Sequence, residues 1–259
     1  MSDSRNPRSV RSIQRHQRAG SSDSHVIRSP QLKFISTNWT IISNPSRFVT
    51  RYGAAVRAYL RALLPTHDDA DEVEQEFLLQ VVAKGFPTAA SGRGQFRYYL
   101  ITVVKNAALG HLRKQSKRPA VVSDLSHIPG MTTADLEWSD RWRECVLENT
   151  WNALRDHQKK SKGNLFHSVL KVAVEHSQEE SGTLAARVSG STGQGLSAEA
   201  FRKQLSGARR RFGELLIKEV SRTITNVTPD SLTEELRDLD LLKYVKRLLP
   251  EMRREPSSK

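Results

Sequence analysis

Apolar positions recur at helical intervals along most of the chain. Phe48, Tyr52, Val56, Tyr59 and Leu63 form one stripe, which predicts a helix over about 45–64. Asn44 supplies its cap and Pro45 its first residue. Thr66 with Asp69 three residues on resembles a capping box and opens a second helix, with Ala70, Val73, Phe77 and Val81 inward. Residues 85–95 hold three glycines and one proline and read as a loop. A long helix follows over about 96–117, with Phe96, Leu100, Val103, Ala107 and Leu112 on its buried side, and Pro119 ends it. Residues 119–134 read as a linker. Helical pattern resumes near Asp135 and continues with breaks to Val220. A last amphipathic stretch runs Leu232, Leu236, Leu239, Leu242, Val245, Leu249. No segment alternates convincingly at strand period, and no repeat of solenoid length is present. The expected fold is all-α, with two small helical domains joined by a flexible linker.

Charge sharpens this picture. The 259 residues carry 41 Lys+Arg against 28 Asp+Glu, a formal net charge of +13, which favours a polyanionic partner. The excess is unevenly placed. The first 30 residues hold eight serines and six arginines with almost nothing apolar, so residues 1–36 are expected to be a disordered basic tail that binds polyanions or, alternatively, an organellar transit peptide. Asp68, Asp69, Asp71, Glu72, Glu74 and Glu76 then follow one another without a basic residue. From Gly85 to Arg118 there is no acid, while Arg93, Arg97, Lys105, Arg113, Lys114, Lys117 and Arg118 accumulate. Arg202, Lys203, Arg209, Arg210 and Arg211 form a second basic block.

Several kinds of chemistry find no support. No apolar run approaches the roughly 18 residues of a membrane span. The single cysteine, Cys145, excludes an internal disulfide or a cysteine zinc site. The histidines do not pair at metal-binding spacing, and six carboxylates on one helix point around its circumference instead of converging. Gly190 to Gly195 lacks the preceding strand and the Lys-Ser/Thr of a phosphate loop. Neither a catalytic residue nor a cofactor or metal site is expected, and the chain does not read as an enzyme.

Leu184 to Val188 has the small-residue pattern of the first helix of a helix-turn-helix. A glycine-bearing turn runs through Gly195, and Ser197 caps a second helix. On that helix Phe201, Leu205, Ala208 and Phe212 face inward, leaving Arg202, Lys203, Ser206, Arg209 and Arg210 outside. This suits either a recognition helix in a major groove or an amphipathic surface helix with a solvated basic side.

Three stretches carry a family resemblance: Asp68 to Phe77 (DDADEVEQEF), Gly92 to Leu100 (GRGQFRYYL) and Val104 to Arg113 (VKNAALGHLR). Together they resemble the second domain of bacterial RNA polymerase sigma factors of the extracytoplasmic-function group. Residues 149–220, with FRKQLSGAR from Phe201 to Arg209, resemble the fourth sigma domain, and the C-terminal extension is similar to that of a planctomycete-type subgroup. Tyr99 stands where the family usually has tryptophan, Gly110 where it has aspartate, and Gly207 where arginine is frequent.

The resemblance implies five regions: the 1–36 tail, a second-domain segment 37–118, a linker 119–134, a fourth-domain segment 135–222, and an extension 223–259. It implies that Glu72, Gln75 and Glu76 dock on core RNA polymerase. Arg93, Arg97, Tyr99, Lys105, Asn106 and Arg113 would hold the melted strand of a minus-ten element, with Asn106 reading an extruded base. Arg202, Lys203 and Ser206 would reach base edges of a minus-thirty-five duplex, and Arg209 and Arg210 its phosphates. The implied partners are core polymerase, promoter DNA and an anti-sigma protein, in a bacterial cytoplasm at the nucleoid, with no membrane or small-molecule substrate. A stand-alone helix-turn-helix regulator is the alternative reading.

Overall fold

The computed structural model describes residues 44–86, 95–115 and 133–249. The expected tail, Arg93, Lys117, Arg118 and most of the expected linker lie outside them. Among the described residues the elements are α1 (Pro45–Leu63), α2 (His67–Lys84), α3 (Phe96–Gln115), α4 (Thr133–Lys160), α5 (Phe166–Glu175), α6 (Ser181–Thr192), α7 (Ala198–Ser221), α8 (Pro229–Asp238) and α9 (Leu242–Val245). The all-α expectation holds. The only β-type pairing among them is an isolated bridge between Gln95 and Ile224.

Local chemistry sets the ends of these helices. Asn44 Oδ1 accepts the Arg47 amide at 3.0 Å, and Pro45 sits at the first helical position, where its missing N–H removes no bond. Leu64, before Pro65, is extended and stops α1. Thr66 Oγ1 accepts the Asp69 amide at 3.1 Å to open α2, and Gly85 closes it with φ of 75°, a conformation costly for any residue with a Cβ. Thr228 and Ser231 cap α8 reciprocally ahead of Pro229.

Aromatic packing joins the N-terminal helices to α4. Trp142 stacks on Tyr52 with ring centroids 4.1 Å apart and planes 18° from parallel. Trp138 meets Tyr59 edge-on at 5.4 Å. Phe48, Phe86 and Phe96 form an edge-to-face cluster with centroids 4.9 to 5.8 Å apart. Such pairs add about 0.5–1.5 kcal/mol each beyond the area they bury.

Farther along α4, Leu154 is buried in the same core, and Trp151 contacts Phe212 of α7 at 5.1 Å. Thus α4 starts at Thr133, inside the expected linker, and serves both segments that the sequence separates. All the described helices lie within one compact unit, residues 34–259. A second, smaller core of Leu165, Val169, Leu184, Ala185, Val188 and Phe201 holds α5, α6 and α7 together.

Candidate nucleic-acid interface

Acid and base are sorted onto α2 and α3. On α2, Ala70, Val73, Phe77 and Val81 turn inward, which leaves Glu72, Gln75 and Glu76 exposed at i, i+3 and i+4. One and two turns farther along, Leu79 and Val82 are 62 % and 50 % exposed, so the acidic face continues into an apolar one. The sequence reading missed this pair, although two apolar residues off the inward stripe signal them.

Three other carboxylates of the run are engaged elsewhere. Asp71 pairs with Arg61 at 3.1 Å, and Glu74 is buried against Arg57 at 2.7 Å. Asp69 accepts from Thr66 Oγ1 at 2.5 Å and Gln115 Nε2 at 2.6 Å, with His111 Nε2 at 3.0 Å. Those contacts, Thr66 first, lower its pKa to about 2. Among the described residues no group of three or more His, Cys, Asp or Glu could hold a metal ion.

On α3 the residues Tyr98, Thr102, Asn106 and Arg113 are exposed and follow one face, at i, i+4, i+8 and i+15. Lys105 is partly exposed beside them. Tyr99 is half-buried against the core, its ring tilted 5.9 Å from Phe96, and desolvation raises its phenol pKa.

Arg97 departs from its expected place on the solvent-facing groove. Its side chain is 2 % exposed and lies against α8. Nε and Nη2 donate to Glu235 Oε1 and Oε2, each at 3.2 Å, Nη2 reaches Asp238 Oδ2 at 3.4 Å, and Nη1 donates to Ser139 Oγ at 3.0 Å. A buried guanidinium requires such partners. Burial opposes its charge, but Glu235 outweighs that and leaves its pKa raised.

Tyr98 Oη donates to Asp238 Oδ2 at 2.8 Å, and the Arg97 guanidinium lies 4.3 Å above the Tyr98 ring. Sequence reasoning found α8 but not Glu235 or Asp238, because a contact 138 or more residues away leaves no periodic trace.

The second basic surface forms on α7. Gly193 turns the chain after α6 at φ of 69°, Ser189 Oγ accepts the Leu196 amide at 2.9 Å, and Ser197 Oγ accepts the Ala200 amide at 3.1 Å. The left-handed residue of the turn is Gly193. Phe201 and Ala208 are fully buried and Leu205 partly so. Arg202, Lys203, Ser206, Arg209 and Arg210 are all exposed, at spacings that place them on one side of the helix. Arg210 Nε also reaches Glu214 at 3.2 Å.

Gly207 packs under Phe166 of α5: an added Cβ would lie 2.7 Å from the ring. Close approach of α5 thus explains glycine where the resembling family often has arginine.

The family model for Sigma-70 region 2 matches residues 48–118, which begin within α1 and include all of α2 and α3. The match makes residues 48–118 similar to that region. No curated protein and no solved structure matches the chain. No helix among the described residues is long and apolar enough to cross a membrane.

Proposed function

We propose that the chain is a sigma factor of the extracytoplasmic-function type, with an extension similar to that of the planctomycete-type subgroup. The exposed face of α2, with Glu72, Gln75, Glu76, Leu79 and Val82, docks on core RNA polymerase. Acids rimming two exposed apolar residues suit a protein partner with a basic, partly apolar groove. The exposed face of α3 holds the melted minus-ten strand, where Tyr98 offers a stacking surface, Lys105 and Arg113 offer charge, and the Asn106 amide can both donate to and accept from a base. The α5–α7 unit lays Arg202, Lys203 and Ser206 in the major groove of the minus-thirty-five duplex. Phosphodiester formation belongs to the polymerase. The observation carrying this reading is the Sigma-70 region 2 match over 48–118, which coincides with the adjacent acidic and basic helices.

Geometry adds a requirement. Elements centred about 25 base pairs apart are about 85 Å apart at about 3.4 Å per base pair. A compact unit of about 200 residues is only about 45 Å across. Promoter binding therefore separates the α2–α3 surface from the α5–α7 surface, and the described arrangement is the state of the free chain.

Run-off transcription from genomic promoter fragments with purified bacterial core polymerase tests the proposal. The expected result is promoter-directed transcripts that require the chain. A chain that binds duplex DNA but neither binds core nor directs initiation is instead a stand-alone regulator.

A further inference from the structure

The C-terminal extension meets α3 at the head of its exposed face. Phe96 N donates to Thr223 O at 2.9 Å, and Gln95 bridges to Ile224, so the chain leaving α7 runs along the start of α3. From there α8 places Glu235, fully buried, on the Arg97 guanidinium and Asp238 on both Arg97 and the Tyr98 hydroxyl. The helix carries Asp230, Glu234, Glu235 and Asp238 against one basic residue, Arg237, and its apolar side is anchored by Leu232 and Leu236.

These contacts present carboxylate oxygens to a guanidinium at the distances a nucleic-acid phosphate would occupy, beside a tyrosine that remains 51 % exposed. Simple stability does not require a buried ion pair here, because apolar residues of similar volume generally serve a core as well.

We infer that α8 is an intramolecular mask, in which Glu235 and Asp238 occupy Arg97 and Tyr98 in place of single-stranded DNA until α8 is displaced. The inference rests on the reading of α3 as the strand-holding helix. While masked, the free chain loses one cation and one hydroxyl from its strand-binding face, which keeps it from binding stray single strands. Displacing α8 restores both at the N-terminal end of that face, next to Thr102 and Asn106.

The test is fluorescence anisotropy of the full chain with a fluorescein-labelled, random-sequence single-stranded DNA 15-mer at low salt. Glu235→Gln with Asp238→Asn keeps the side-chain shapes and removes the masking charges. It is expected to bind about tenfold tighter than the wild type. The charge-matched pair Glu144→Gln with Glu148→Gln, exposed on α4, is expected to gain no more than about two- to threefold. Adding Arg97→Ala to the first pair should abolish its gain. Asp238→Asn alone alters a side chain that is one-third exposed, so it tests the mask even if the double variant loses helicity by circular dichroism; it should gain about two- to threefold.

Equal gains in the mask and control pairs, or a gain that survives loss of Arg97, overturns the mask. So does the absence of gain in Asp238→Asn. Run-off transcription on the same preparations separates the two proposals. Core-dependent initiation without a selective gain removes the mask and keeps the sigma reading. A selective gain in a chain that does not bind core removes the sigma reading and leaves α8 masking a single-strand site.

Discussion

Tyr52 donates its hydroxyl to Glu219 Oε1 at 2.9 Å, tying α1 to the last turn of α7 across 167 residues of sequence. Arg51 and Arg222 also contact this nearly buried carboxylate, and Tyr52 itself is fully buried. Burial, followed by the neighbouring Glu219 charge, raises the Tyr52 pKa well above its ordinary value and keeps the phenol a donor. In the described arrangement the helix carrying the second basic surface is thereby held against the segment matching Sigma-70 region 2.

Removing that carboxylate leaves two guanidinium groups and a phenol without their acceptor. Glu219→Ala is expected to cost about 3–5 kcal/mol of unfolding free energy in urea. Tyr52→Phe removes one hydrogen bond and should cost about 0.5–1.5 kcal/mol. If both variants stay within error of the wild type, the coupling between α1 and α7 is absent in solution.

Two helical glycines should respond in opposite senses to alanine. A Cβ at Gly110 on α3 meets nothing within 4 Å, so Gly110→Ala should stabilise the chain by about 0.5–1 kcal/mol through helix propensity alone. At Gly207 the Phe166 ring must move, and overpacking of about 1–3 kcal/mol exceeds that gain. Gly207→Ala should therefore lower the midpoint of thermal unfolding while Gly110→Ala raises it. Equal upward shifts would show that α5 does not lie against α7.

Acid stability depends on Asp69. Its pKa is lowered to about 2 when folded, while an unfolded carboxyl titrates near its ordinary value of 3.8. The unfolded chain thus binds the proton first as pH falls. The stabilisation is complete above about pH 4 and is lost progressively toward about pH 2. Asp69→Asn should flatten the stability-versus-pH curve in that window. An unchanged curve would remove Asp69 from the contact between α2 and the end of α3.

On α7, Arg202→Ala with Lys203→Ala should weaken promoter-fragment binding and leave core binding intact. Arg209→Ala, at a position the proposal sets against a phosphate, should reduce the salt slope of log affinity by about 0.9. Loss of core binding in the first pair would mean that the fold, and not the DNA surface, was damaged.

Much of this was legible in local sequence. The Asn44-Pro45, Thr66 and Ser197 starts need only neighbouring atoms, and the stripe from Phe201 to Phe212 fixes which side of α7 carries Arg202, Lys203 and Arg209. Distant partners were not legible. Arg97 sits in a basic run, and nothing within ten residues of it shows that Glu235 and Asp238 will surround it. Trp138 and Trp142 fall in the helical stretch that begins near Asp135, but their place against Tyr59 and Tyr52 follows from the packing of α4, which depends on both ends of the chain. Gly207 departs from the family pattern for a reason that only the Phe166 ring above it supplies.

The most direct measurement is co-elution of the full chain with purified bacterial core RNA polymerase in size-exclusion chromatography. A stoichiometric complex is expected, and Glu72→Lys with Glu76→Lys, two exposed positions on α2, should dissociate it without loss of helicity. A chain that elutes apart from core at micromolar concentration, or a complex indifferent to the reversal of those two charges, would contradict the account.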